Sequence, residues 1–222
     1  MKPSIVDLLV RPGAFFRNAV SEKERFTVPV LIVLVAGIMG SATAYLMATP
    51  VARMMAGAVP GIEVFMAIGT VIGAIVISFV FWIVWSGVFF TISYAFKGEG
   101  TFRRTLEFVG YGYLPQIIGS LITLIIASGY IPSVRVPQLT TAGMQDPVLM
   151  EQTIKALMHD PAMMELSQIA AIISIVFLLW SANCWIFGLR NARQLSEMDS
   201  ALCVGIPVVA YILFMIYNLG VM

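Results

Sequence analysis

Side chains able to do catalytic or metal chemistry are few in this 222-residue chain. His159 is its one histidine, and the nearest acids are Asp160 and Glu165 in the same polar segment. Catalytic triads and zinc sites of the usual kind need histidine with several converging partners, which one histidine in a loop does not supply. A weak metal site is the alternative to a solvated loop residue. We predict that the protein is not an enzyme and holds no metal or other cofactor.

Methionine is the other residue type with metal-binding chemistry, and the chain has 14 copies. Thioether sulfur is a soft ligand that suits Cu(I). The methionines of the polar segments have irregular spacing, however, and methionine also fills apolar gaps at membrane surfaces. We favour the apolar role over a copper site.

A group of polar residues gathers at one end of an apolar stretch. Glu107 follows Arg103 and Arg104 at helical spacing, so either arginine can pair with it. Two tyrosines come next, where aromatic side chains favour a membrane interface. Pro115 frees the carbonyl of Tyr111 and predicts a bend in the helix. An anchor for a bent helix is one interpretation. The other is a partner-binding surface formed by Arg103, Arg104, Glu107, Tyr111, Tyr113 and Pro115.

Milder polar and small residues continue into the apolar stretch. Gly112, Gln116 and Gly119 follow one another at four and three residues, which places them in one narrow stripe on a helix. Such a stripe lets helices approach closely, and Gln116 can hydrogen-bond a neighbouring helix. Asn183 is a similar polar residue in a later apolar stretch. No charged residue falls in the middle of a stretch, which argues against an ion-coupled pump. A small channel or a lipid or solute carrier beside Gln116 and Asn183 stays open.

Five charge-free stretches must position these residues. The chain is 59% hydrophobic and 11% charged, whereas soluble domains average about a quarter charged. Each stretch exceeds the roughly 20 apolar residues that cross a hydrocarbon core. They are residues 26–52, 64–96, 108–134, 166–189 and 200–222. We predict an all-α fold, a polytopic integral membrane helix bundle with five transmembrane helices.

Basic residues predict the orientation of this bundle. Ten of the 13 Lys and Arg residues lie on one side of the predicted spans, and Arg53, Arg135 and Lys155 lie on the other. Because basic loops stay in the cytoplasm, we predict that the N-terminus is inside and the C-terminus outside.

Two polar segments complete the predicted organisation. Residues 1–27 are predicted to form a cytoplasmic interfacial amphipathic segment. Its signals are a capping box, SIVD at 4–7, Pro12 in a first helical turn, and an apolar side with Phe15 and Phe16. Residues 28–222 form the five-span membrane domain, with an outside helical loop at about 129–167. Asp-Pro at 146–147 and 160–161 predicts the start of two short helices there.

Three short motifs accompany the five spans: RPGAFF at 11–16, GYGYLP at 110–115 and GLRNARQLSEMDSALCVGIPVVAYIL at 188–213. Together they resemble the Yip family, the Ypt/Rab-GTPase-interacting membrane proteins, in its prokaryotic branch. The resemblance implies a multi-pass protein of a prokaryotic cytoplasmic membrane. It also implies a non-enzymatic scaffold or adaptor in membrane organisation or trafficking-like processes.

The resemblance bears on partners too. Eukaryotic Yip proteins associate with prenylated Rab GTPases and with each other, which implies a small GTPase or a homo-oligomer. The sequence has no Asp-Leu-Tyr-Gly-Pro motif of those relatives. The broader expectation is therefore the lipid bilayer together with an unidentified membrane or cytoplasmic protein, and no nucleic acid.

Overall fold

The computed structural model describes residues 5–221, and side chains as far as residue 219. The described residues form ten α-helices and one short 3₁₀ turn, Ile131–Ser133. The helices are α1 (Ile5–Val10), α2 (Pro12–Ala19), α3 (Thr27–Ala56), α4 (Ile62–Ala95), α5 (Phe102–Tyr111), α6 (Leu114–Tyr130), α7 (Thr141–Gln145), α8 (Pro147–Met158), α9 (Pro161–Arg193) and α10 (Glu197–Val221).

Five elements are long and apolar enough to cross a membrane, which confirms the predicted fold class. Four are single helices, α3, α4, α9 and α10. The remaining crossing, Phe102–Ser133, joins α5, α6 and the 3₁₀ turn. Five crossings would place the two ends of the chain on opposite sides of the membrane, and this stays a prediction. The distribution of basic residues predicts which of these sides is the cytoplasm, and this orientation also stays a prediction.

Neighbouring spans pack side by side, and the outer helices keep apolar faces. α3 lies along α4 and α6, and α9 lies along α6 and α10. The most apolar part of α4 has no buried residue, and Phe65 is 77% exposed. Lipid tails are as apolar as these side chains, so such a face needs no protein partner.

An aromatic core lies at the end of the bundle where α1 and α2 pack. Trp85 of α4 stacks on Trp185 of α9 with 5.7 Å between ring centroids, and Phe89 lies 5.5 Å from Trp185. Val204 and Val208 of α10 are buried in the same core. Aromatic pairs stabilise a protein beyond the effect of the apolar area that they bury. This end of the bundle therefore has a well-packed core.

The opposite end carries the long loop between α6 and α9. Asp146 accepts hydrogen bonds from the backbone N–H groups of Val148 and Leu149, and Asp160 caps α9 in the same way. Both Asp-Pro signals therefore start helices. The second helix is not short, because it continues for 33 residues as a membrane span. The apolar sequence after the Pro161 start signal allows this continuation. The predicted capping residue Ser4 lies outside the described residues.

Candidate functional site

α5 begins at a capped end and runs beneath the segment that joins α2 to α3. The hydroxyl of Thr101 accepts a hydrogen bond from the backbone N–H of Arg104, 3.2 Å away. Such a cap satisfies a donor that the first helical turn leaves free. One side of α5 is buried, including Phe108 and Val109. We name the assembly of α1, α2, residues 20–26 and α5 the N-terminal cap.

Glu107 is the buried acid of the N-terminal cap, with 3% of its surface exposed. Its Oε2 accepts a hydrogen bond from Nη1 of Arg104 at 2.7 Å, and its Oε1 accepts one from the backbone N–H of Arg25 at 3.1 Å. A buried carboxylate is tolerated only with partners of this kind. Glu107 thus fastens the segment before α3 onto α5.

Arg104 extends the same fastening. Its Nη2 donates to the backbone carbonyl of Glu22 at 2.5 Å, and its guanidinium lies over the ring of Phe108, 5.2 Å from the centroid. The planar guanidinium can reach several acceptors at fixed angles. The Arg104–Glu107 pair is therefore committed to contacts within the chain.

Arg103 behaves differently, because 72% of its side chain is exposed. Its Nε lies 3.5 Å from Glu24, and its guanidinium lies over Phe26. Exposed pairs of this kind are weak. The three predicted charged residues therefore divide into two that hold the N-terminal cap together and one that faces outward.

The N-terminal segment packs on Tyr111 and Phe108. Phe15 meets the ring of Tyr111 edge-on at 5.2 Å, and Phe16 lies 5.0 Å from Phe108. The predicted apolar side of this segment thus contacts α5, while Val6 of α1 remains 65% exposed. A cavity of about 280 Å³ opens between these elements. Its lining includes Lys23, Arg25, Glu107 and Tyr111.

The predicted bend at Pro115 is a full interruption of the helix. α5 ends at Tyr111, Gly112 and Tyr113 form a turn, and α6 begins with Pro115 in its first turn. Proline suits that position because it has no N–H to satisfy. Of the predicted partner-binding residues, Tyr113 is 8% exposed and Pro115 is buried.

Two tryptophans that the sequence analysis missed hold α5 in place. Trp82 of α4 donates its indole N–H to the carbonyl of Leu106, and Trp185 of α9 donates to the carbonyl of Val109, each at 2.8 Å. The ring of Trp185 also fills the space that a side chain at Gly112 would need. Tryptophan has one donor and an apolar body, which suits a membrane interface. That preference was the available sequence signal.

Arg193, at the end of α9, was also missed. It is 1% exposed, and it donates from Nε to Oγ of Ser93 at 2.8 Å and from Nη2 to the carbonyl of Gly98 at 2.5 Å. Its Nη1 donates to the carbonyl of Gly100, and the ring of Phe90 lies beneath it at 4.4 Å. Among the described residues no carboxylate pairs with it. A second arginine in the last turn of a span was its only sequence signal.

The intramembrane polar residues are not all brought together. Nε2 of Gln116 donates to Oγ of Ser181 at 3.3 Å, and Gly119 lies against Phe177. Gln116 lines a cavity of about 250 Å³ between α3, α6 and α9. Asn183 is exposed, two residues beyond Ser181 and so about 200° around the helix. It lies on another face and does not line that cavity.

His159 and the methionines are the side chains that the sequence analysis considered as metal ligands. Within the described residues, no group of three His, Cys, Asp or Glu side chains is placed to hold a metal. Nδ1 of His159 lies 2.8 Å from the carbonyl oxygen of Lys155. Met54 and Met163 are buried in a small apolar cluster with Leu157.

Comparison with known proteins gives one family. The family model described as the Yip1 domain matches residues 6–219. An uncharacterized protein of the archaeon Methanocaldococcus jannaschii is 33% identical over 124 residues, covering 56% of this chain and 88% of that protein. No solved structure matches the chain.

Proposed function

This chain belongs to the Yip1 domain family, and on that premise we propose that it is a non-enzymatic scaffold or adaptor in a prokaryotic cytoplasmic membrane. The N-terminal cap is the surface that we assign to a protein partner. The role in the cell would be membrane organisation, with the partner recruited from the cytoplasm or from the same membrane.

The observation that carries the proposal is the internal fastening of the N-terminal cap. Glu107 and Arg104 fix the segment between α2 and α3 on α5. Glu107 accepts a hydrogen bond from the backbone N–H of Arg25, Arg104 donates one to the carbonyl of Glu22, and the two side chains pair with each other. A surface that is already ordered loses less conformational entropy when a partner binds. This supports a docking role for the N-terminal cap.

The charge of the exposed side chains suggests the kind of partner. The exposed basic residues described at this end are Arg11, Arg17, Lys23, Arg25, Lys97, Arg103 and Arg190, and the exposed acids near them include Glu22, Glu99 and Glu197. Complementary charges speed association and exclude wrong partners. We expect a partner with an acidic contact surface.

The test uses Arg103, which is exposed and makes only a weak pair. Photo-crosslinking from Asn18, a neutral exposed position of α2, should capture a partner in native membranes. Arg103→Glu should lower the recovery of this partner several-fold because it reverses a rim charge. Arg135→Glu is the matched control, since Arg135 is exposed at the other end of the molecule. Equal recovery with wild type and Arg103→Glu would count against the proposal.

Glu107 is a poor choice for this experiment. Removing it leaves Arg104 and the N–H of Arg25 without their partner in a part-buried place. Breaking a buried pair costs on the order of 3 kcal/mol. Loss of a partner in Glu107→Ala would then report unfolding of the N-terminal cap as readily as loss of a contact.

A small channel or a lipid or solute carrier is the second candidate. The cavity at Gln116 favours it, because Thr43, Ser120 and Ser174 contribute hydroxyl groups to the lining of that cavity. This cavity is separate from the cavity of the N-terminal cap and from another cavity that lies between α3 and α4, because the three have no lining residue in common. A continuous path through these three cavities would therefore need a rearrangement of the helices. Solute or lipid flux in reconstituted vesicles would favour this candidate over the scaffold.

A further inference from the structure

A cavity lies between α3 and α4 at the end of the molecule opposite the N-terminal cap. Its volume is about 190 Å³, and both walls come from these two helices. Tyr45, Thr49 and Arg53 project from α3 at spacings of four residues, and Glu63 and Thr70 project from α4 seven residues apart. Residues at these spacings share one helix face, so the cavity is part of a groove along the two helices.

Two opposite charges line this cavity without pairing. In the described part of the chain, neither Arg53 nor Glu63 makes a side-chain hydrogen bond or an ion pair. Lys155 and Glu151, at the same end of the molecule, do pair at 2.6 Å, and the ammonium holds the pKa of Glu151 below its usual range. Arg53 and Glu63 thus present a separated cation and anion to whatever enters the cavity.

The helix dipoles explain why Arg53 and Glu63 lie at helix ends, but they do not explain why both side chains line one cavity. Arg53 lies in the last turn of α3 and Glu63 in the first turn of α4. Both charges therefore suit the helix dipoles. The dipoles act on any side of a helix end, however, and do not require both charges to face one cavity.

The groove runs from these charges toward the membrane interior. Tyr45 and Thr70 lie seven or eight residues deeper than Arg53 and Glu63, or roughly 11 Å along the helices. One further heptad brings Ile38 and Ile77, each 48% exposed, onto the same two faces. No atom lies within 4 Å of the place that a side chain at Gly73 would occupy. The groove thus passes from a charged mouth to an open apolar surface.

We propose that this groove binds a zwitterionic phospholipid whose headgroup carries a phosphate and a primary ammonium, as in phosphatidylethanolamine. The guanidinium of Arg53 suits the phosphate, because its fork donates two parallel hydrogen bonds to phosphate oxygens. The carboxylate of Glu63 accepts from the ammonium, which has three donors. The acyl chains lie along the apolar surface below. The inference does not depend on the function proposed for the N-terminal cap.

The chemistry separates this lipid from other common ones. A purely anionic headgroup leaves Glu63 with no cation and brings a negative charge beside it. A choline headgroup has no N–H to donate, and its three methyl groups need more room than an ammonium. The site should therefore select for phosphatidylethanolamine over phosphatidylglycerol and phosphatidylcholine.

Native mass spectrometry of the full chain in detergent tests the proposal. The delipidated protein is mixed with equal amounts of the three lipids. Phosphatidylethanolamine should be retained in preference, and Arg53→Gln and Glu63→Gln should each lower its retention roughly tenfold, as expected for a lost charge-assisted hydrogen bond. Lys155→Gln, a charge removed at the same end outside the groove, should retain it as wild type does.

Two further measurements separate lipid binding in the groove from a purely structural role of the two charges and from binding of the headgroup alone. Ala67→Leu narrows the cavity without removing a charge, since Ala67 is part of its lining, and it should also reduce retention. Free phosphoethanolamine should not displace the lipid at equal concentration, because it lacks the acyl chains. Equal retention of the three lipids would overturn the proposal, as would displacement by the free headgroup. Loss of thermal stability in Arg53→Gln or Glu63→Gln without lipid, at unchanged lipid retention, would assign the charges to the helix dipoles alone.

Discussion

Arg193 shows what a single buried charge does in this protein. Its guanidinium donates to a hydroxyl of α4 and to two backbone carbonyls of the loop before α5, and it lies over the rings of Phe90 and Tyr94. Carbonyl oxygens and aromatic faces replace the carboxylate that a buried arginine usually has. The residue thereby joins the end of α9 to the loop that leads into the N-terminal cap.

Replacing Arg193 with Gln should therefore destabilise the protein by about 3 kcal/mol, because charge-assisted hydrogen bonds are lost and carbonyls are left unpaired. Thermal unfolding in detergent measures the effect. Arg193→Lys should recover little of it, since an ammonium lacks the planar fork. Arg190→Gln is the control, because Arg190 forms an exposed pair with Glu197 and such pairs contribute about 0–1 kcal/mol. Equal losses in Arg193→Gln and Arg190→Gln would refute the role given to Arg193.

At the scale of elements, the break between α5 and α6 decides how the N-terminal cap is held. The helix stops at Tyr111, and the turn at Gly112 lets the ring of Trp185 reach the backbone. The indole N–H then donates to the carbonyl of Val109 near the end of α5. Trp185 thus adds a second hydrogen bond to a carbonyl that already accepts one from the backbone N–H of Gly112 at 3.1 Å.

Gly112→Ala should cost about 1–3 kcal/mol, as overpacking of a full core does, because the new Cβ overlaps the ring of Trp185. The matched substitution is Gly69→Ala in α4, where nothing lies within 4 Å of the added carbon. We expect this change to stay within about 1 kcal/mol of wild type. Unfolding in a titration with a denaturing detergent compares the two. A neutral Gly112→Ala would show that the contact with Trp185 is not tight.

The sequence predicted features that depend on one local segment, and it did not predict contacts between distant segments. The charge-free stretches predicted the five crossings, and the Asp-Pro pairs predicted where α8 and α9 start. The Arg104–Glu107 pair follows from helical spacing. The contacts of Glu107 with Arg25 and of Arg193 with Gly98 join residues more than 80 positions apart. No local periodicity encodes such a contact. The sequence alone therefore could not show that Arg104 is bound within the chain whereas Arg103 is exposed.

Over the whole molecule, the two ends differ in what they present. The end with α1 and α2 has an aromatic core and a basic surface, and the buried Arg104–Glu107 pair stabilises that surface. The other end has α7, α8 and the groove between α3 and α4, where Arg53 and Glu63 stay unpaired in the described chain. The proposals give each end its own ligand, a protein at the N-terminal cap and a phospholipid at the groove.

The position of the N-terminal cap in the cytoplasm is the claim on which the proposed function most depends. Labelling of intact cells with a membrane-impermeant maleimide tests it, using Arg17→Cys, Arg103→Cys and Lys155→Cys, all at exposed positions. The native Cys184 and Cys203 are buried, so wild type gives the background. We predict that Lys155→Cys is labelled in intact cells, whereas Arg17→Cys and Arg103→Cys are labelled only after permeabilisation. Labelling of Arg103→Cys in intact cells, with Lys155→Cys protected, would contradict the account.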